Sequence, residues 1–236
     1  MIPFETREPN LGNDLTLEPL DQRIALALEH AGDLQNGNAL SSRAILAISN
    51  ASERHILHKG GHGRRVGRYG RGLAKAAGLP TNDARIVEWG GILHDLGKIV
   101  LPTAILMKPA ALTPAEWTQI RLHPETGARL LTNASLNEQL ATVVRHHHER
   151  FDGLGYPEGL TGFQIPLGAR IIAIVDTFDA ITSGRPYRPP RSGPAAIQEL
   201  LDHSGTQFDP ELVARFVELW RNGDIGRSRG RHVREE

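Results

Sequence analysis

An all-helical fold is what this sequence predicts, and three observations carry the prediction. Apolar residues recur at spacings of three and four, the period of an amphipathic helix. The alternation that a half-buried strand requires is almost absent, and aromatic residues make up only 5% of the chain, which removes side chains that sheets favour. Helix punctuation, in the form of caps, prolines and glycines at the ends of periodic segments, is frequent. The 236 residues suffice for one large domain with a small appendage, and for a core that needs no disulfide or structural metal.

Taken in order, the periodicity predicts helices near 20–31 and 40–57, preceded by a polar tail to about residue 18. The next spans 62–78, where His62, Val66, Tyr69 and Leu73 share one inward face and Gly78 suits a C-terminal cap. A helix over 82–96 is expected to close at Gly97. Thr113-Pro114-Ala115-Glu116 is a capping box with proline at the first helical position, opening a helix over 114–122. Pro124 breaks the pattern just after His123, so a separate helix follows over 124–132. The segment 136–149 is helical, with His147 and His148 continuing stripes set by Val143 and Val144. Asp152 to Pro166 holds four glycines and two prolines and is a loop. Helices over 166–183, 193–203 and 209–221 complete the series, the first of them apolar nearly all round. The expected organisation is an N-terminal tail and helical extension over 1–55, a catalytic domain over 56–222 and a basic tail over 223–236.

Composition excludes several chemistries. With no cysteine there is no disulfide scaffold, no thiolate zinc site and no cysteine nucleophile. Lys+Arg and Asp+Glu both total 27, a balance that argues against a nucleic-acid polymer as partner. The arginine group Arg64, Arg65, Arg68 and Arg71 reads as a solvated helix face. The N-terminus lacks the basic and apolar regions of a signal peptide, and no run approaches the length of a membrane span. A cytoplasmic protein without membrane contact is expected.

Seven of the eleven histidines fall between positions 58 and 148, and histidine is the commonest metal ligand among side chains. A buried adjacent His94-Asp95 pair and a buried Asp176 need compensation, which a metal or an ion pair with Lys98 or an arginine would supply. His147 and His148 are about 100° apart around their helix, so the two can reach two ions or two sides of one. His146 should point away from them and be exposed. Asp179 either supports the site from behind or caps the following loop. His123 is a plausible ligand or gating residue, and His58 faces the same way as His62. This nitrogen-and-oxygen set suits iron, manganese or magnesium, with zinc an option. Two such ions would form the clamp used for phosphate-ester hydrolysis, with a metal-activated bridging hydroxide as nucleophile.

The order His62, His94-Asp95, Asp176 resembles the HD superfamily of metal-dependent phosphohydrolases. HHERFDGLGYPEGL (147–160), with Gly155-Tyr156-Pro157, is similar to the signature of the HD-GYP family. ILHDLGKIVLP (92–102), KPAALTPAEWTQIRLHPETGARLL (108–131) and VDTFDAITSGRPYR (175–188) resemble its flanking blocks. The resemblance implies a single HD-type helical bundle that hydrolyses cyclic di-GMP to pGpG or GMP. It implies His62, His94, Asp95, His123, His147, His148 and Asp176 as metal ligands, with Asp95 bridging two ions, iron or manganese. A third ion would need His58 to replace the glutamate some members use there. Lys98 is the implied phosphate contact. Arg185, Tyr187 and Arg188 are candidate grips on phosphate and base, and Asp152, Gly153, Gly155, Tyr156 and Pro157 form the GYP loop at the rim. Gly184 stands where the family usually has aspartate, and Ala110 where it usually has glycine. Alternative readings are a non-catalytic cyclic di-GMP receptor or scaffold with signalling-protein partners, and a hydrolase of another cyclic dinucleotide such as cyclic GMP-AMP. The stretch before residue 56 is too short for a receiver domain and suits one or two helices for packing or homodimer formation.

Overall fold

The computed structural model describes residues 61–133, 137–183 and 189–226. The helices expected over 20–31 and 40–57, His58, Gly184, Arg185, Tyr187, Arg188 and the tail beyond 226 lie outside the described residues. Among the described residues the fold is helical and has no strand. Its helices are α1 (His62–Ala76), α2 (Thr81–Leu93), α3 (Thr103–Leu106), α4 (Pro114–Arg121), α5 (His123–Asn133), α6 (Glu138–His146), α7 (Leu167–Ser183), α8 (Gly193–Asp202) and α9 (Pro210–Asn222). Short 3-10 turns occupy Leu96–Val100 and Gly162–Gln164. None of these helices is long and apolar enough to cross a membrane.

The caps read from sequence account for several boundaries. Thr113 and Glu116 make the reciprocal capping box, with Thr113 N donating to Glu116 Oε2 at 2.7 Å and Glu116 N donating to Thr113 Oγ1 at 3.3 Å. Asp209 accepts from the backbone N–H of Glu211 and Leu212 to open α9, and its other carboxylate oxygen takes the Arg170 guanidinium. Gly78, at φ +87°, follows α1 in the left-handed conformation expected of a C-terminal glycine.

Helix α7 is the centre of the molecule. Ile171, Ile172, Ile174, Val175 and Phe178 are all buried, as its continuous apolar run requires. It packs against α1, α2, α6, α8 and α9. One core joins α1, α2, α7, α8 and α9 through Val66, Val87, Phe178, Leu200 and Phe216. A second joins α2, the 96–100 turn, α5 and α6 through Leu93, Leu96, Leu131 and Val144. Each fully buried side chain of this size contributes roughly 1.5–3 kcal/mol.

Two backbone approaches set the spacing of these elements. Gly67 of α1 meets Gly91 of α2, where a Cβ on Gly91 would sit 2.7 Å from the Gly67 backbone. Gly97 corrects the sequence reading: it caps no helix. It lies inside the 96–100 turn against the start of α5, where a Cβ would come 2.0 Å from the His123 carbonyl oxygen and 2.6 Å from the Gly127 nitrogen. The helix expected over 82–96 accordingly ends at Leu93, a turn early, because the chain must bend to make this contact. Gly97→Ala should therefore cost at least ~2 kcal/mol of stability through backbone overpacking. Urea unfolding against the wild type measures this.

Candidate metal centre

Three histidines sit where helices end. His94 is the C-cap of α2, His147 is the C-cap of α6, and His123 begins α5 immediately after the C-cap Leu122 of α4. Each turns Nδ1 back onto a carbonyl three residues earlier: His94 to Gly91 at 2.9 Å, His123 to Ile120 at 2.7 Å, His147 to Val144 at 2.7 Å. A carbonyl can only accept, so Nδ1 carries the proton and the neutral ring keeps its lone pair on Nε2. Burial pushes His123 and His147 well below the usual histidine pKa, helped by Lys98 near the first and by neighbouring histidines near the second.

These lone pairs converge. Nε2 of His94, His123 and His147 is buried without a hydrogen-bond partner among the described residues, and it faces the buried Oδ1 atoms of Asp95 and Asp176, whose neighbouring cations are Lys98 and His62. Leaving such nitrogens unpaired costs about 1–3 kcal/mol each. They are close together: His94 Nε2 is 3.6 Å from Asp95 Oδ1 and 3.7 Å from Asp176 Oδ1, and His123 Nε2 is 3.5 Å from Asp95 Oδ1. Three triplets, His62/His94/Asp176, His94/Asp95/His147 and His123/His147/His148, each place one potential ligand atom per residue within 4.8 Å of the others. Asp95 lies between the first and last of these. A cluster of buried nitrogen and oxygen atoms of this kind fits a hard or borderline cation.

His62 is held differently. Its Nδ1 is 2.8 Å from Asp179 Oδ2 and its Nε2 is 3.2 Å from Asp176 Oδ1. Arg65 donates to both Asp179 oxygens, at 2.6 and 2.9 Å. Of the two roles read for Asp179, support from behind is the one its contacts show. Burial alone would depress His62, but its bonds to Asp176 and Asp179 outweigh this and raise it to about 10. Asp176 and Asp95 are lowered far below the usual carboxylate range: burial opposes this, but the hydrogen bond from His62 outweighs it at the first and the Lys98 ammonium at the second.

The other candidate residues fall into two groups. Lys98 is at the centre, its Nζ 2.7 and 2.8 Å from the two Asp95 oxygens. His148 is there too, its ring 4.1 Å from His147 and stacked on Tyr156 at 4.9 Å. Asp152, by contrast, pairs with Arg150 and accepts from Leu154 N, tying the turn at Gly153 and standing apart from the ligand triplets. His146 corrects the sequence reading in part. It points away from the cluster, but it is buried, bonded to Thr142 O and lying 3.3 Å from Glu158 Oε1. The helix expected over 136–149 ends at His146, with His147 as its C-cap still in right-handed helical conformation and His148 beyond it. Arg65 and Glu149 were missed. Glu149 was legible in principle, since a carboxylate next to two inward histidines and before a glycine-rich loop needs backbone donors. A cavity of about 370 Å³ opens beside Asp176 and His148, with Ala180 and Phe208 among its apolar walls and Gln207 and Glu199 among its polar ones.

Residues 47–212 match the family described as "HD domain". A relative named "3'3'-cGAMP-specific phosphodiesterase 2" from Vibrio cholerae is 33% identical over 93% of this chain and 42% of its own length. The "Cyclic di-GMP phosphodiesterase response regulator RpfG" of Xanthomonas campestris is 43% identical over 60% of this chain and 38% of its own. The chain thus spans less than half the length of these relatives. A solved cyclic GMP-AMP phosphodiesterase from V. cholerae shares the fold at TM-score 0.61, with 19% identity, over 76% of this chain and 48% of that one.

A cation that binds only the folded state stabilises it by mass action. Manganese at a hundredfold excess over its Kd should add about 2.7 kcal/mol to metal-stripped protein, and Asp95→Asn should largely remove the gain. Thermal melts with manganese and with EDTA check both.

Proposed function

This chain belongs to the HD-domain family, and on that premise we propose that it is a metal-dependent phosphodiesterase of cyclic dinucleotides, with cyclic di-GMP its substrate and pGpG or GMP its product. The observation that carries the reading is the convergence of five buried ligand atoms from His94, Asp95, His123, His147 and Asp176, the three imidazole nitrogens among them without a hydrogen-bond partner in the described residues. His62, His94, Asp95 and Asp176 would hold one divalent ion, and Asp95, His123, His147 and His148 the other. Iron or manganese suits this mixed imidazole and carboxylate set. Ions of this kind, when bound, lower the pKa of a water and offset charge on a phosphorane-like transition state.

The chain's own residues supply orientation and charge. The carbonyl contacts at Nδ1 keep Nε2 of His94, His123 and His147 directed inward, so the ligand set is assembled before substrate arrives. Asp179 does the same for His62. Lys98 is a flexible point charge resting on Asp95, suited to move onto a non-bridging phosphate oxygen once a cation answers Asp95. Arg185, Tyr187 and Arg188 remain the candidate grips on phosphate and base, on the strength of sequence alone. The Gly155-Tyr156-Pro157 loop supports the HD-GYP branch of the family. A second substrate, 3′3′-cyclic GMP-AMP, is favoured by the relative of that specificity that aligns with 93% of the chain.

The test is anaerobic loading with iron or manganese, a metal count, and parallel assays with cyclic di-GMP and 3′3′-cyclic GMP-AMP. Metal-dependent release of linear dinucleotide or mononucleotide is expected. His94→Ala and Asp95→Asn should lower kcat at least ~100-fold, and Lys98→Ala roughly 10–100-fold. Tight substrate binding by metal-loaded protein with no product from either substrate would replace this reading with a receptor.

A further inference from the structure

Four imidazoles of the site are fixed by a hydrogen bond at Nδ1, to a backbone carbonyl for His94, His123 and His147 and to Asp179 for His62. His148 differs: its imidazole makes no hydrogen bond among the described residues. Rings surround it instead. His147 lies 4.1 Å from its centroid, His123 5.0 Å, and Tyr156 stacks on it at 4.9 Å with an interplanar angle of 26°. The Arg121 guanidinium lies over the Tyr156 ring at 5.5 Å. Orientation of His148 is therefore delegated to an aromatic side chain on the loop.

That loop is tied to the chain by Glu149, the residue after His148. Glu149 is only 3% exposed, and its carboxylate accepts three backbone N–H groups: Glu158 at 2.7 Å and Gly159 at 3.1 Å on one oxygen, Leu160 at 3.1 Å on the other. Bonds to an ionised acceptor are stronger than neutral ones, and a buried carboxylate that lost them would be left uncompensated. The loop returns onto its own origin: Tyr156 N donates to His148 O at 3.2 Å, and a Cβ on Gly155 would lie 2.3 Å from Arg150 N. Tyr156 is thus held by both its backbone and the carboxylate that closes the loop.

We propose that Glu149 is a positioning residue: by closing the 152–161 loop onto the His146–Arg150 segment it holds the Tyr156 ring against His148, and so orients the one imidazole of the proposed ligand set that lacks a hydrogen bond. The inference rests on the metal-dependent reading above. Glutamine at position 149 offers one acceptor oxygen where three donors wait, and turns an NH2 toward the rest. The loop loosens, the ring withdraws, and His148 regains rotamer freedom that metal binding must then remove.

The test is titration of metal-stripped, full-length protein with manganese, followed by calorimetry and by the spin-resonance signal of free manganese, well below each variant's melting temperature. Glu149→Gln and Tyr156→Leu should each weaken one class of manganese site roughly 10–100-fold, the range for groups that orient ligands from behind, and leave the other class intact. Tyr156→Phe, which keeps the ring, should restore what Tyr156→Leu loses. The double variant should bind no more weakly than the worse single one, because both act through the same ring. A Glu149→Gln protein with a lower melting temperature but wild-type manganese affinity would reduce Glu149 to a structural role and overturn the proposal. Unchanged affinity in Tyr156→Leu would overturn it as well, and decides the matter alone if Glu149→Gln does not fold. Failure of the wild type to take up manganese would bring down the phosphodiesterase reading and this inference together. Wild-type uptake with unaffected variants would remove only the inference.

Discussion

The contact on which the site depends is the bond from an imidazole Nδ1–H to the carbonyl three residues earlier. The last turn of a helix leaves carbonyls without an intrahelical partner. His94, His123 and His147 each take up one of these, so a single bond satisfies a helix end and also fixes a tautomer. The consequence reaches the far side of the ring. With the proton held at Nδ1, the lone pair can only be on Nε2, and in all three residues that atom is buried and faces the same small volume. A helix extended by one more turn would compete for the same carbonyl and remove the anchor. The places where α2, α4 and α6 stop are therefore as much a part of the site as the histidines.

Charge follows the same geometry. The C-terminal end of a helix carries partial negative charge, which favours a cation nearby. Three such ends meet the carboxylates of Asp95 and Asp176, whose ionised state is kept by Lys98 at the first and by the hydrogen bond from His62 at the second despite desolvation. Arg65 does not enter this volume; it is spent on Asp179, which it orients toward His62. The arrangement divides its cations between support and site, leaving Lys98 as the charged side chain in direct contact with Asp95.

The sequence carried the fold class and several helix spans well, because both follow from local periodicity and capping: α1, α4, α7, α8 and α9 lie within two residues of their expected spans, while the single turn α3 was not expected. It also named the residues that converge, though Asp95 and His148 lie beyond the helices expected to carry them. Those errors share a cause. Gly97 forces the chain to turn against the His123 carbonyl, and Glu149 draws the chain back to the loop residues 158–160, so α2 and α6 stop early. Neither contact is local in sequence, and no helical period encodes it. His146 was read as exposed for the same reason: Glu158, twelve residues on, comes to lie beside it. Periodicity shows which face of a helix is apolar, but it cannot show what a distant loop later covers.

The ring spacings at the centre are in the end a property of backbone packing. His62 and His94 stand 5.2 Å apart because α1 and α2 touch at Gly67 and Gly91, where neither helix has a side chain to hold the other off. His94 and His147 are 5.1 Å apart and His123 and His147 5.3 Å apart because Gly97 lets the exit of α2 lie directly on α5, which in turn packs on α6. A methyl group at either contact would force the backbones apart, since a carbonyl and a helix backbone cannot yield as a flexible side chain can. Ligand atoms that must share one ion tolerate little such movement. These glycines supply no ligand atom, yet they fix the distances that make a cluster of ordinary histidines and aspartates capable of holding metal.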